Sequence, residues 1–283
     1  MAGVVNLILR QRQEGGEFML AHGISGRGDA SLLRLSGSHG RDTAGGGNVY
    51  FGFSWLQRDG LPGDARSWRG LDLGRHGLGD WRFRLGYRGA DGQLLAPFCA
   101  PARTGQALPC VLDPPRESLL QPPMDRLTGF ARWQHPLSES LDMHMEIRTG
   151  RVVQQLRNAP FYARVTLPPD HPDALRDAVW LDYVFRDTGP IRSRSSNDAL
   201  DVLAGLSGMR GEWDWRTDLS HTRSEVDNRV EGLVRYTAFE QVLASGDYRF
   251  GRWDNAPEVL ARIAPAVRST GLSSISQAGV GAY

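Results

Sequence analysis

Residues 126–150 read RLTGFARWQHPLSESLDMHMEIRTG, and the alternation within them decides the fold class. In the second half Leu141, Met143, Met145 and Ile147 are apolar, whereas Ser140, Asp142, His144, Glu146 and Arg148 are polar. A period of two is the signature of an extended strand with one apolar and one polar face. In the first half Leu127, Gly129, Ala131 and Trp133 alternate with Thr128, Phe130, Arg132 and Gln134. His135–Glu139, between the two runs, is short and polar and contains Pro136, which has no N–H to give a ladder. The pair predicts a β-hairpin whose strands are about ten residues long, the length a tilted strand needs to cross a bilayer. Strands of soluble domains average roughly half of that.

Composition bounds what surrounds this hairpin. At 283 residues the chain is long enough for one large β domain or two ordinary ones. With 40% hydrophobic residues, a mean hydropathy of −0.38 and no run of about eighteen apolar residues, a bundle of transmembrane helices is excluded. A membrane barrel is not excluded, because only alternate residues of its strands are apolar. The 34 glycines and 16 prolines point to many turns and extended segments. A net charge of +1 gives no reason to expect nucleic acid as a partner. Cys99 and Cys110, the two cysteines, bracket a segment rich in Pro, Gly and Ala, FCAPARTGQALPC. That setting favours a disulfide closing a loop over two unlinked thiols, and with it an oxidising compartment. No histidine lies between them to help build a zinc site.

Further strands carry the same pattern. In Gly16–Ser25, Phe18, Leu20, His22 and Ile24 alternate with Met19, Ala21 and Gly23. Gly26–Asp29 is a tight turn, and its Arg-Gly-Asp reads as turn chemistry rather than as a cell-attachment motif. Ala30–Gly40 is a second strand, followed by a turn at Arg41–Gly47. In Asn48–Arg58, Val49, Phe51, Phe53 and Trp55 face one way, with Tyr50, Gly52, Ser54, Gln57 and Arg58 on or near the polar side. Trp81, Phe83, Leu85 and Tyr87 predict a hairpin inside the long stretch 61–125. Asp170–Ala178 predicts a helical turn, and Val179, Leu181, Tyr183 and Phe185 a strand after it. Ala199–Met209 and Gly211–Thr222 form a second long hairpin, with Leu200, Val202, Ala204 and Leu206 outward on one arm. On the other arm Trp213, Trp215, Thr217 and Leu219 face out, and Asp214, Arg216, Asp218 and Ser220 face the other way. Short helices are predicted at Tyr236–Leu243 and Pro257–Ile263, and a last strand at Ser273–Tyr283.

The connections then centre on residues 26–29, 41–47, 59–125, 135–139, 151–197, 209–212 and 223–272. After the first, short and long alternate. A soluble sandwich has no reason to gather its long loops at one end, whereas an outer-membrane barrel has short periplasmic turns and long extracellular loops. The expected fold is all-β: an antiparallel up-and-down transmembrane β-barrel segment of about eight wall strands. Its lipid-facing residues are expected to include Phe51, Phe53, Trp55, Leu141, Met143, Met145, Ile147, Trp213, Trp215 and Leu219. Its lumen-facing residues are expected to include Asp142, His144, Glu146, Asp214, Arg216 and Asp218. Tryptophans near strand ends (Trp55, Trp133, Trp213, Trp215) suit the aromatic girdles of such a wall.

Little in the sequence speaks for catalysis. Asp142, His144 and Glu146 share one face of one strand, but same-face neighbours stand about 7 Å apart, too far to converge on one ion. A solvated ladder lining the interior is the expectation. No GxSxG, HExxH, P-loop or dinucleotide fingerprint is present, so no enzyme, cofactor or metal site is expected. Arginines on the polar faces weakly favour an anionic ligand.

Several segments share a resemblance. Ala2–Arg10, AGVVNLILR, resembles the segment that ends the plug domain of TonB-dependent outer-membrane receptors. Arg58-Asp59-Gly60-Leu61, after an aromatic third strand, is similar to the same family, as is Asn158-Ala159-Pro160 at a strand-to-loop exit. SLLQPPMDRLTGF resembles the approach to that family's fourth strand, matched by Leu119, Pro122 or Pro123, and Arg126. GLSGMRGEWDWRTDLSHTRSEVDN is similar to the family's "GL-G … W-W-D … S-S-R-S" pair. The resemblance implies that residues 1–14 are the end of a plug and its linker, and 15–283 a partial barrel. The whole barrel of such a receptor has about 22 strands, so the wall here is expected to be incomplete. It implies location in the bacterial outer membrane and uptake of a scarce bulky nutrient such as an iron chelate, cobalamin or a glycan. The implied partners are the TonB complex of the inner membrane, outer-membrane lipid and a small to medium nutrient ligand. Met1–Arg10 lacks the basic region and cleavage site of a signal peptide, so that peptide, the TonB box and most of the plug are expected outside this sequence. Gln277, Gly279 and Gly281 do not give the apolar alternation of the family's terminal strand. The competing reading is a soluble secreted β-rich carbohydrate-binding module with Trp55 and Trp213 as stacking platforms.

Overall fold

The computed structural model describes residues 12–66, 83–98, 110–251 and 254–282. Residues 1–11, which carry the plug-like segment, lie outside the described residues, as do Trp81, Cys99 and Tyr283. Alternation produces eight long strands: β1 (Gly15–Gly23), β2 (Leu32–Asp42), β3 (Asn48–Arg58) and β4 (Met124–Ser138) lead. Then come β5 (Leu141–Pro160), β6 (Pro190–Arg210), β7 (Trp213–Glu231) and β8 (Val267–Ala282). They pair antiparallel in chain order as one open sheet, with β1 and β8 at its edges. Short turns at 43–47, 139–140 and 211–212 stand at one end; connections 24–31, 59–123, 161–189 and 232–266 all leave from the other.

Residues directly opposite in a ladder share a face, so register carries the alternation across the sheet. One row runs Val49, Trp133, Met145, Ala204, Leu219 and Ala278. The adjacent row, on the other face, runs Asn48, Gln134, His144, Gly205, Asp218 and Gly279. The apolar row is the exposed one. Met145 is 41% exposed, Ile147 47% and Leu219 63%, whereas His144 is 5% and Glu146 7% exposed. The polar rows line the concave side, where a cleft of about 1000 Å³ extends from Glu17 on β1 to Arg148 on β5.

Several boundaries differ from expectation. The 135–139 turn is strand: β4 runs to Ser138, with an irregularity between Pro136 and Ser138. Pairing of β4 with β3 stops at Gln134, so at Pro136 β4 has one neighbour, and a missing donor is tolerated there. The 151–197 and 223–272 connections are shorter than read. β5, β6 and β7 are 20, 21 and 19 residues long, and β5 and β6 stay in register to Arg157 opposite Arg192. Beyond Gly150 on β5, and at the same height on β6 and β7, both faces mix polar residues with a few apolar ones such as Val152, Val153 and Leu156, so apolar periodicity ends where the ladder does not. Gln57 faces outward with Phe53 and Trp55, opposite Asp125, rather than toward the polar side. Asp170–Ala178 forms successive turns rather than a helical turn; Pro168, Pro169 and Pro172 remove donors there. Cys110 is disulfide-bonded.

The apolar core lies outside the wall. The long connections contribute a four-stranded sheet, ordered Tyr162–Val165, Trp180–Val184, Gly86–Arg88, Leu94–Pro97, and the helices α1 (Pro114–Glu117), α2 (Tyr236–Ala244) and α3 (Pro257–Ile263). The expected 236–243 and 257–263 helices coincide with α2 and α3. Tyr183, Phe185, Phe239, Tyr248 and Phe250 pack there, mostly edge to face, with Val242 and Ile263 fully buried. All five residues of Trp180–Val184 are at least half-buried, so no alternation survives in that strand. The Tyr248 hydroxyl donates to both Asp187 carboxylate oxygens (3.0 and 2.9 Å), and Asn255 Nδ2 donates to one of them at 2.8 Å. Burial nevertheless raises the Asp187 carboxyl above the ordinary aspartate value.

Two outcomes are expected for this head. Phe185→Ala should cost it about 3–5 kcal/mol, read as lost hydrogen-exchange protection in α2, with β5 and β6 amides little changed. A carboxyl raised in the folded state binds protons more tightly there, so acidification from neutral relieves the cost of its burial. The stability of wild type minus that of Asp187→Asn should therefore grow as pH falls from 7 toward the ordinary aspartate value. A pH-independent difference would remove Asp187 as its source.

Candidate functional site: the concave face of the wall

The buried polar residues of the wall converge in two clusters. Arg132 on β4 and Arg148 on β5 both bond the Glu146 carboxylate, and Arg148 reaches Asp201 on β6 at 3.6 Å. A carboxylate held between two guanidiniums satisfies charge and geometry together. In the second cluster His144 Nε2 lies 2.9 Å from Asp218 Oδ1, and Arg216 Nε donates to Asp218 Oδ2 at 2.6 Å. His144 and Asp218 are two strands apart, on β5 and β7, with Gly205 of β6 between them in the row. A Cβ at Gly205 would stand 2.6 Å from His144 Cε1 and closer still to Asp218 Oδ1. Glycine leaves the slot through which the bond passes.

These contacts correct the expectation of a solvated ladder. His144 and Glu146 are buried and paired: Glu146 by Arg132 from the neighbouring strand and Arg148 two residues along its own, His144 by Asp218 from two strands away. Asp142 and Asp214 remain exposed on the concave face near the short turns. Asp142, His144 and Arg216 border a smaller cleft of about 290 Å³ with Arg132 and Ser207. Among the described residues no group of three or more His, Cys, Asp or Glu side chains is placed to hold a metal ion.

Toward the short-turn end Asn48 is fully buried; its Nδ2 donates to Gln13 O (2.8 Å) and Asp42 Oδ1 (2.7 Å), tying the segment before β1 to the wall. Tyr50 meets Phe130 edge to face at 4.7 Å. On the outer face Phe51, Phe53, Met145, Ile147, Trp213 and Leu219 are exposed, and Trp55, Leu141, Met143 and Trp215 partly so. Nothing among the described residues covers them. The Arg27-Gly28-Asp29 turn is engaged at both ends: Arg27 donates to Ala65 O at 3.0 Å, and Arg66 pairs with Asp29. The Arg66 guanidinium holds the Asp29 carboxyl well below the usual range. Of the residues sequence reading missed, Arg132, Arg148 and Asp201 sit on polar faces already recognised. Gly205 carries a fainter signal, a glycine at an inward position of the GLSG segment.

No family model, curated protein or solved structure matches the chain.

Gly205→Ala should displace His144 from Asp218 and cost about 1–3 kcal/mol of wall stability. In an Asp218→Ala background the same substitution should cost at least about 0.5 kcal/mol less, measured by urea unfolding in detergent. Additive costs would mean that the slot serves something other than this bond.

Proposed function

We propose that this chain forms part of the wall of a TonB-dependent outer-membrane receptor, which takes up a scarce bulky nutrient such as an iron chelate, cobalamin or a glycan. One observation carries the reading: most large apolar side chains of the eight strands point outward and uncovered, while Glu146, His144 and Asp218 are paired on the concave side. In water such an arrangement leaves a large apolar area unburied, at about 25 cal/mol per Å²; in a bilayer it is the favourable one. The one-sided placement of the long connections supports the same reading, with the aromatic-cored head outside the cell and the short turns in the periplasm. Trp133, Trp213 and Trp215 near the short turns, and Trp55 toward the long connections, suit the two interfaces. The open edges β1 and β8 leave backbone groups that hydrocarbon cannot satisfy, so further strands complete the wall. The concave face then borders the transport path, gated by a plug on which the TonB complex of the inner membrane pulls.

Two measurements test this. The chain refolded from denaturant should partition into the detergent phase and gain protease protection in phosphatidylcholine vesicles. Recovery as a monomer in detergent-free buffer would overturn the proposal and favour the soluble carbohydrate-binding module. Ile147→Arg should lower the stability of the vesicle-inserted chain by about 2–4 kcal/mol. On a face that meets water the same change would stay within about 0.5 kcal/mol.

A further inference from the structure

Three arginines on the concave face, toward the long connections, stand outside the ion pairs of the wall. Arg34 on β2 and Arg126 on β4 are both opposite Leu56 of β3, and Arg58 lies two residues further along β3 on the same face. Among the described residues the one bond these guanidiniums make is from Arg58 Nη2 to Pro122 O, at 3.2 Å. The Nε atoms of Arg58 and Arg126 are buried without an acceptor. One row nearer the short turns stand three hydroxyls, Ser36, Ser54 and Thr128, on the same three strands. Ser54 Oγ is also buried and unpartnered, and all three hydroxyl residues border the 1000 Å³ cleft.

No carboxylate stands in these rows on β1 to β5. The first on this face are Glu17, one row further toward the short turns, and Glu146, already held by Arg132 and Arg148. Buried guanidinium donors without acceptors are costly, and three like charges within two strand spacings repel. Each penalty disappears when oxyanions occupy the space between them. Arginine's planar fork suits carboxylate or phosphate oxygens, and the Ser36 and Ser54 hydroxyls add donors beside it, while Thr128 Oγ1 donates to Ser54 O at 3.4 Å. At about 4.8 Å per strand the Cα atoms of Arg34 and Arg126 stand about 10 Å apart, a span wider than one oxyanion.

We infer that Arg34, Arg58 and Arg126, with Ser36, Ser54 and Thr128, bind a small molecule bearing two or more carboxylate or phosphate groups. The inference deepens the receptor reading by naming the charge class of its nutrient, and it rests on that reading for its place in transport.

The full chain, refolded in zwitterionic detergent, is titrated calorimetrically with citrate and separately with inorganic phosphate. Citrate should bind saturably, more tightly than phosphate, and more weakly as salt is raised. Arg34→Gln/Arg126→Gln should weaken citrate binding at least tenfold; Arg34→Gln alone, on an exposed side chain, should weaken it severalfold with the wall intact by circular dichroism. Arg151→Gln, on the outer face beside Asp198, should leave it unchanged. No saturable citrate binding by wild type, or equal affinity in the double variant, would overturn the site; phosphate binding as tightly as citrate would overturn the requirement for two groups. A chain that needs detergent but binds without these arginines refutes the site alone. One that binds citrate through them yet stays monomeric in plain buffer refutes the receptor reading alone.

Discussion

A backbone surrounded by hydrocarbon has no water to bond, so every N–H and C=O must find its partner inside the protein. In the membrane setting proposed above, the eight-stranded ladder meets that demand along β2 to β7, each of which has a neighbour on both sides over most of its length. Once backbone satisfaction is delegated to the ladder, side chains need not form a common apolar interior. They divide by face, and the division here is the inverse of that in a soluble sheet: charge within, hydrocarbon without.

That inversion sets a second requirement. Ionised groups on a concave face are sheltered from bulk water and must be neutralised locally. The wall does so across strands as well as along them. Glu146 is bonded by guanidiniums from β4 and β5, and His144 reaches Asp218 over β6. The second contact depends on a missing side chain at Gly205 as much as on the two present. Packing and electrostatics therefore meet at a residue that carries neither charge nor apolar surface.

The division of faces was legible in the sequence because a period of two survives wherever one face is apolar. Phe51, Phe53 and Trp55, and Leu141 to Ile147, stood out for that reason, and the eight long strands follow from them. Where polar residues fall on both faces, as in Val152–Asn158 and Ser193–Asp198, no face keeps an apolar period and the sequence reads as loop. Pro136 misled in the opposite direction: a local rule about donors was overridden because its strand has one neighbour at that height. The pairing of His144 with Asp218 was out of reach, since 74 residues separate them and register alone brings them level. The elements of the aromatic head were partly legible, in the strand after Val179 and the helices at 236–243 and 257–263, but their assembly into one body was not. Its sheet is drawn from two connections far apart in sequence, its helices α2 and α3 from a third, and the strand Trp180–Val184 is buried on both sides.

The head's composition has a mechanical consequence. Its parts come from the connections that follow β3, β5 and β7, so one folded body ties together the tips of hairpins spread over more than half the sheet. The opposite rim, closed by three tight turns, has no such clasp among the described residues. Shear between neighbouring strands is therefore resisted at one margin and left free at the other. Any widening or narrowing of the curved surface will pivot about the clasped margin, with the largest excursions at the far rim.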